Sequence, residues 1–391
     1  MSPQSPPSSK AKLGPVNRFD RLEWAGAFGD LGTLLPFVIA YVSVMKLDPF
    51  GVLFGFGVSM MVCGWWYRTP FPVQPMKAAG AVATTQAAQT ALLTPGAVYG
   101  AGLVTGLIWL LLGSTGLAQR LTRWIGRPVT QGVVLGLGLA FMWQGARLMA
   151  DNWWLAAPGL AIVLVLARNA RVPGIFVLLV LGLGWTALST PEAWRALTQV
   201  RLELRAPDWT WPALGWNDLL LGTVFLALPQ LPLTLGNAII GVREENNRLF
   251  PDRPVSDRQV AVSTGVMNLF GSAVGGVPMC HGAGGMAAHV AFGARTGGAL
   301  VILGALLTVL AFGFSASVVT LFALIPQAVL GTILFMAGVQ LAGGQFDEKR
   351  TSHDSTLLLV TAGLSMWNVA AGFIAGLLLQ GWLAWRRGSV R

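Results

Sequence analysis

Charge is what this sequence has least of: only 11% of its 391 residues are Asp, Glu, Lys or Arg, against roughly 25% in an ordinary soluble domain. With 54% hydrophobic residues beside it, that shortage excludes a soluble globular body. Cysteine is nearly absent. Cys63 and Cys280 are the two present, both inside apolar runs and without CxxC spacing, so neither a disulfide framework nor a cysteine metal site is built. The apolar segments hold no HExxH and no paired aspartates, which removes the usual signs of a membrane protease. The first twenty residues contain no apolar core of the kind a signal peptide needs. With Pro3, Pro6, Pro7, Pro15, Lys10, Lys12 and Arg18, residues 1–20 read as a disordered cytoplasmic tail. The net charge is +10, yet the basic residues stand singly or in small groups, not in one stripe, which argues against nucleic acid as a partner.

What the sequence has instead is a succession of apolar runs. At about 20 residues per helical crossing, they hold about 14 transmembrane segments, and the fold class is an all-α polytopic membrane protein. Residues 21–188 form a first membrane repeat, 189–217 an external interfacial loop, 218–386 a second repeat and 387–391 a short cytoplasmic tail. The apolar pattern reaches Trp385, so no soluble domain is expected after it. With the N-terminus inside, the cytoplasmic ends gather most of the 26 Lys and Arg, among them Arg68, Arg123, Arg243, Arg258, Arg295, Lys349 and Arg386, as the positive-inside rule requires. Both termini then lie in the cytoplasm, on a plasma or inner membrane. The loop carries Trp194, Trp209, Trp211 and Trp216 among charges such as Arg201, Glu203 and Arg205. These aromatic residues are expected to anchor it at the membrane surface.

Seven segments per repeat is an odd number, so the second repeat enters the membrane from the opposite side: an inverted repeat. Val134-Leu135-Gly136 followed by Phe141-Met142 and Gln144 is echoed by Val329-Leu330-Gly331 followed by Phe335-Met336 and Gln340. Pro75-Met76 returns as Pro278-Met279. The third segment, Pro72–Gln89, and the tenth, Met279–Phe292, each follow a proline-containing break and continue into small residues. Broken segments at corresponding places point to a midplane substrate site. Two half-helix N-termini, each worth about half a positive charge, would face each other there, and their free N–H groups suit an anion.

Ionisable groups inside the hydrocarbon region are costly, which makes each a functional candidate. Asp30 lies in Gly29-Asp30-Leu31-Gly32-Thr33, Lys77 in Gln74-Pro75-Met76-Lys77, and His281 in Met279-Cys280-His281-Gly282. Lys77 adds a cation to an already positive helix end, so it requires a negative neighbour, either Asp30 or a bound anion. The alternative is that it snorkels toward the surface near Arg68. Asp30 reads as a partner of Lys77, as a proton carrier, or as a backbone cap in a glycine-broken segment. His281 reads as a hydrogen-bond donor to an anion, a protonatable group, or a structural histidine; His289 reads as structural. In the eighth segment, Pro229 and Pro232 are expected to open the helix and expose backbone. Gln230, Thr234 and Asn237 then become possible substrate contacts, or Asn237 bridges helices.

At these motifs the sequence resembles the molybdate transporter family related to the sulfate permeases. Four blocks carry the resemblance: Phe28-Gly29-Asp30-Leu31-Gly32-Thr33, Phe71-Pro72-Val73-Gln74-Pro75-Met76-Lys77, Pro229-Gln230-Leu231-Pro232-Leu233-Thr234 and Cys280-His281-Gly282-Ala283-Gly284-Gly285. It spans Arg21 to about Trp385. It implies import of molybdate, with sulfate as a related oxyanion, through a seven-plus-seven inverted repeat divided into a core (segments one to four and eight to eleven) and a gate (the rest). It further implies a site at Gln74, Met76, Lys77, Cys280, His281 and Gly282, lined by Asp30, Thr33 and Gln230. The regulatory domain that follows the last segment in typical sulfate permeases is not expected here. The chain's eighth segment lacks an acidic residue, which moves proton coupling to Asp30 or His281. No cofactor and no metal are called for. Homodimers are common among such relatives. The rival classes are a sulfate, other-anion or nucleobase permease of the same architecture, a channel, and an intramembrane enzyme. Nucleobase carriers usually want carboxylates in the second repeat, and none sits mid-segment here.

Overall fold

The computed structural model describes residues 16–81, 93–118, 120, 125–166, 172, 174–343 and 351–388. The expected N-terminal tail up to residue 15, the third segment beyond residue 81 and the last three residues lie outside these.

Helix boundaries follow local chemistry. The first segment is a bent pair, α1 (Arg21–Ala27) and α2 (Leu31–Ser43), joined by a 3-10 turn at Phe28–Asp30, with about 50° between the two arms. Asp20 caps α1 by accepting from the amides of Leu22 and Glu23, satisfying N–H groups that have no partner within the helix. Asp48 does the same for α3 (Pro49–Tyr67), which ends at Arg68 in the left-handed conformation. After an extended passage, β1 (Gln74–Pro75) precedes α4, a helix that starts at residue 77 and is described to residue 81. The first repeat continues with α5 (Pro95–Thr115), α6 (Arg127–Met149), α7 (Trp153–Leu166) and α8 (Gly174–Ser189).

The second repeat opens with α9 (Trp216–Leu249), one continuous helix. The expected opening at Pro229 and Pro232 does not occur. The helix widens into π-helical stretches at Gly222–Ala227 and Thr234–Gly241, on either side of the two prolines. A wider turn relieves the clash between a proline ring and the preceding turn, and absorbs its missing donor, without a break. Then come α10 (Asp257–Ala273), β2 (Met279–Cys280), α11 (Ala283–Ala291), α12 (Gly298–Phe314), α13 (Val318–Ala323), α14 (Gln327–Gly343), α15 (Ser352–Trp367) and α16 (Val369–Gly388). Hydropathy over Val318–Leu341 predicts one continuous twelfth segment, and here the structure differs. Pro326 has no N–H to give and disfavours helix at Ile325, so α13 and α14 are separate.

Among the described residues, five helices are long and apolar enough to cross a membrane by length and composition. Their packing has an internal two-fold pattern: α3 lies along α12, α5 along α10, and α6 along α14. At the α6–α14 crossing, Gly145 and Gly331 each face the other's backbone carbonyl so closely that a Cβ on either would collide with it. The apolar core divides as well. Its largest cluster draws mainly on α2, α3, α5, α9, α10 and α12, and also takes in Val133, Val134 and Phe141 of α6 and Val318 of α13. A second, of Met149, Leu155, Ala156, Leu178, Ala328, Val329 and Ile333, joins α6, α7, α8 and α14.

Glu23 is fully buried, yet its carboxylate is satisfied by the amides of Arg295, Thr296 and Ala299 at 2.9, 2.9 and 3.1 Å. It pins α1 to the start of α12. The loop over residues 189–217 is tied down by more than its tryptophans. Arg205 clasps Asp48 through two hydrogen bonds of 2.9 and 2.6 Å, which hold the guanidinium pKa above its usual value. Trp211 Nε1 donates to Ser272 Oγ at 3.1 Å.

Candidate functional site

Two short strands bring the broken segments together. Gln74 pairs with Cys280 and Pro75 with Met279, antiparallel, and the Met76 amide donates to Pro278 O at 2.9 Å. A two-residue strand is weak alone, and Asn268 of α10 reinforces it. Its Oδ1 accepts from Met279 N at 2.9 Å, and its Nδ2 donates to Met279 O at 2.6 Å. From this common base α4 and α11 start in their opposite repeats, so the expected pair of half-helix N-termini is present at the residues described.

Around that base the candidate residues form a single buried line. Lys77 Nζ donates to Gln74 Oε1 at 3.3 Å. Gln74 Nε2 donates to Asp30 Oδ2 at 2.5 Å and lies 3.0 Å from Thr33 Oγ1. Thr33 Oγ1 contacts both the Asp30 carboxylate and, at 3.0 Å, the Asp30 carbonyl. Lys77 and Asp30 therefore communicate through Gln74, and among the described residues Lys77 has no carboxylate at ion-pair distance. The snorkelling alternative does not hold, because the Lys77 side chain is only 4% exposed.

Glycine makes the close packing possible. A Cβ on Gly282 would strike Gln74 Oε1; one on Gly285 would strike Gln74 Nε2 and come within 2.7 Å of Asp30 Oδ2. The Asp30 carboxylate thus lies against the first turn of α11, where the helix dipole favours a negative charge. The first turn of α4 meets Gln230 instead. Gln230 Oε1 accepts from the amides of Ala78 and Ala79 at 2.8 and 3.3 Å, and its Nε2 donates to Thr234 at 3.1 Å. Among the described residues, the amides of Ala283 and Gly284 at the start of α11 meet no acceptor.

The remaining candidates divide. Met76 and Cys280 contribute backbone to the strand pair, with both side chains buried. The His281 imidazole turns elsewhere: Nδ1–H donates to Pro72 O at 2.8 Å and Nε2 lies 2.8 Å from Ser263 Oγ, which in turn accepts from Tyr67 OH at 2.7 Å. Both ring nitrogens are thereby occupied by protein. His289 Nδ1–H donates to Gly26 O at 2.7 Å and joins α11 to α1. Asn237 lies beside Gly282, its Nδ2 within 3.3 Å of where a Cβ there would stand. Sequence reasoning passed over Asn268, Ser263 and Tyr67. For Asn268 the signal was available, since an amide in an apolar membrane helix needs a partner.

Two helix starts thus meet head to head across a strand pair, with a buried lysine beside them, and the membrane fold that holds them is a known one. The transmembrane domain of a cyanobacterial bicarbonate transporter, BicA, superposes with a TM-score of 0.67 at 16% identity, over 90% of this chain and 97% of that one. The murine anion transporter Slc26a9 in its inward-facing state gives 0.67 at 12% identity, over 95% of this chain and 69% of that one. Those likenesses establish the fold. The sequence carries the rest: the description "Molybdate transporter of MFS superfamily" matches residues 22–141 and again 222–341. Molybdate transporter 1 and molybdate transporter 2 of Arabidopsis thaliana are 31% and 30% identical to the chain, each over 95% of it and 90% of the relative. Molybdate transporter 1 of Chlamydomonas reinhardtii is 27% identical over 91% of the chain and 90% of its own length. The chain belongs to the molybdate transporter family. It is an integral membrane transporter of anions, not an enzyme.

The repeated match also relates two residues of the site. The matches are of equal length and begin at residues 22 and 222, so Asp30 and Gln230 stand at equal distances from the two starts. Each is followed within a turn by its threonine, Thr33 or Thr234, and each lies against the half-helix of the opposite repeat.

Proposed function

We propose that this chain imports molybdate across the plasma or inner membrane by alternating access, coupled to protons, with both termini in the cytoplasm. The observation that carries the reading is the buried line Lys77–Gln74–Asp30 at the shared base of α4 and α11. Two positive helix ends and one ammonium favour a tetrahedral dianion over a neutral solute. Lys77 and the amides of Ala283 and Gly284 serve as its donors, with Gln230 exchanging its hold on Ala78 and Ala79 for the oxyanion. In this reading α1–α5 and α9–α12 move as a core against a gate of α6–α8 and α13–α16, and the separate apolar cluster of α6, α7, α8 and α14 supports the gate as a unit.

Energetics call for a companion cation. A dianion entering a negative interior is opposed by about 4.6 kcal/mol per 100 mV, twice the single-charge cost. In this reading the proton goes to Asp30. While Asp30 is ionised, Gln74 must point Nε2 at it and Oε1 at Lys77. A proton on Asp30 makes the carboxyl a donor, and the Gln74 amide turns over to accept it. Nε2 then faces the Lys77 side, and the site gains a donor where it had an acceptor. Proton and anion therefore bind together. The test is uptake of labelled molybdate into proteoliposomes with an imposed pH gradient. Uptake that rises with an acidic exterior and collapses with an uncoupler supports symport; uptake indifferent to both overturns it. Asp30→Asn, which removes the titratable carboxylate and can offer a donor as the protonated acid would, is expected to bind molybdate with no dependence on pH and to lose gradient-driven accumulation.

A further inference from the structure

Away from the Lys77–Gln74–Asp30 line, α3 and α10 diverge and leave a groove of about 690 Å³ on the core, within the range of small-molecule sites (about 300–1,000 Å³). Its walls are apolar. Val62 and Val266, on the two helices, are each more than half exposed, as is Trp66 at one end. At that end the chemistry changes sign. Arg258 lines the groove from the first turn of α10, where the helix dipole disfavours a cation. Arg68 caps α3 immediately after Trp66 and Tyr67. Both arginines are exposed, and among the described residues neither has a carboxylate at ion-pair distance. Arg68 stands close enough to Arg253 to help push that guanidinium's pKa down, after burial. The mouth of an apolar membrane groove thus carries positive charge that the described residues leave unpaired.

We propose that this groove binds an anionic phospholipid of the inner leaflet, its phosphate on Arg258 and Arg68 and an acyl chain between α3 and α10. Neither feature alone requires this ligand. Apolar walls accept any acyl chain, and exposed arginines accept any anion, but only an anionic amphiphile satisfies both ends at once. The site also has a route to the transport machinery. Tyr67 and Ser263 line the groove, and they hold His281, which holds Pro72 O at the start of the passage into β1. A chain packed over Tyr67 and Ser263 stiffens the loop from which Gln74 and Lys77 project. The inference stands apart from the choice of substrate.

The experiment is thermal unfolding of the detergent-purified protein titrated with phosphatidylglycerol, phosphatidylcholine or glycerol 3-phosphate. Phosphatidylglycerol is expected to raise the midpoint saturably and well beyond phosphatidylcholine, and glycerol 3-phosphate to have no effect. In Arg68→Gln/Arg258→Gln the apparent affinity for phosphatidylglycerol is expected to fall by about tenfold or more, toward that for phosphatidylcholine. Both side chains are exposed, so the double variant keeps the fold, and its unliganded midpoint reports this directly. Val266→Trp, which fills the groove and keeps the arginines, is expected to abolish the specific rise. Equal shifts with both lipids, a specific shift that survives both variants, or a full shift with glycerol 3-phosphate would each overturn the proposal.

Discussion

Gln230 sits where a helix start asks for negative charge and offers it a neutral oxygen. Its Oε1 covers the Ala78 and Ala79 amides, while the equivalent place in the other repeat holds the Asp30 carboxylate. The site is thus charged on one side and neutral on the other, which leaves room for an anion. Gln230→Ala uncovers two amides at a cost of about 1 kcal/mol, as for a lost cap, and is expected to lower the thermal midpoint while weakening molybdate binding modestly. Gln230→Glu keeps the cap but adds like charge, and such juxtaposition costs several kcal/mol. Calorimetry is expected to show its molybdate affinity reduced by more than about tenfold with the midpoint held. Equal affinity in Gln230→Glu and the native protein would contradict this arrangement. Asp30, Gln74 and Lys77 were legible in the sequence because ionisable and amide groups are so scarce in its apolar runs. Ser263 and Tyr67 were not legible, since their partner is a histidine brought near only by the fold.

Among the elements, α11 shows how much depends on an absent side chain. Gly285 admits both Gln74 and Asp30 to its first turn, and a methyl group there must displace one of them. Gly285→Ala is expected to separate Gln74 from Asp30 and, in a proteoliposome assay, to lose molybdate uptake while the protein still purifies as a folded species. Native uptake rates in Gly285→Ala would show that the contact is dispensable. Most helix positions followed from hydropathy, with Asp20, Asp48, Thr94 and Ser256 marking starts as caps. The two departures both involve proline. In α9, Pro229 and Pro232 widen the helix without breaking it, whereas before α14, Pro326 separates two helices. Apolar content is alike in both regions. The difference lies in the flanking π-helical turns, which no local pattern in the sequence announced.

Core and gate helices meet at several crossings, among them α2 with α14 and α9 with α6, and one of them offers a direct test of motion. Gly236 of α9 lies against Thr130 of α6: a Cβ at Gly236 would stand 3.1 Å from Thr130 Cβ, near the spacing a disulfide spans after slight adjustment. Native Cys63 and Cys280 are buried and free, so they do not compete. Thr130→Cys combined with Gly236→Cys is expected, on oxidation, to stop uptake, keep molybdate binding, and recover uptake on reduction. Undiminished uptake in the oxidised protein would contradict relative movement of core and gate. The inverted repeat was legible from the Pro-Met and Val-Leu-Gly echoes. The reciprocal placement of Asp30 and Gln230 was not, because it depends on how the repeats interlock across β1 and β2.

In the proposed function the line through Lys77, Gln74 and Asp30 receives a tetrahedral oxyanion. Isothermal calorimetry of the purified protein with molybdate, tungstate and sulfate, repeated on Lys77→Ala, tests it most directly. Saturable molybdate binding that is lost in Lys77→Ala, with the thermal midpoint retained, is the predicted result. Molybdate binding of undiminished affinity in Lys77→Ala, or no heat from any of the three anions with the native protein, would contradict it.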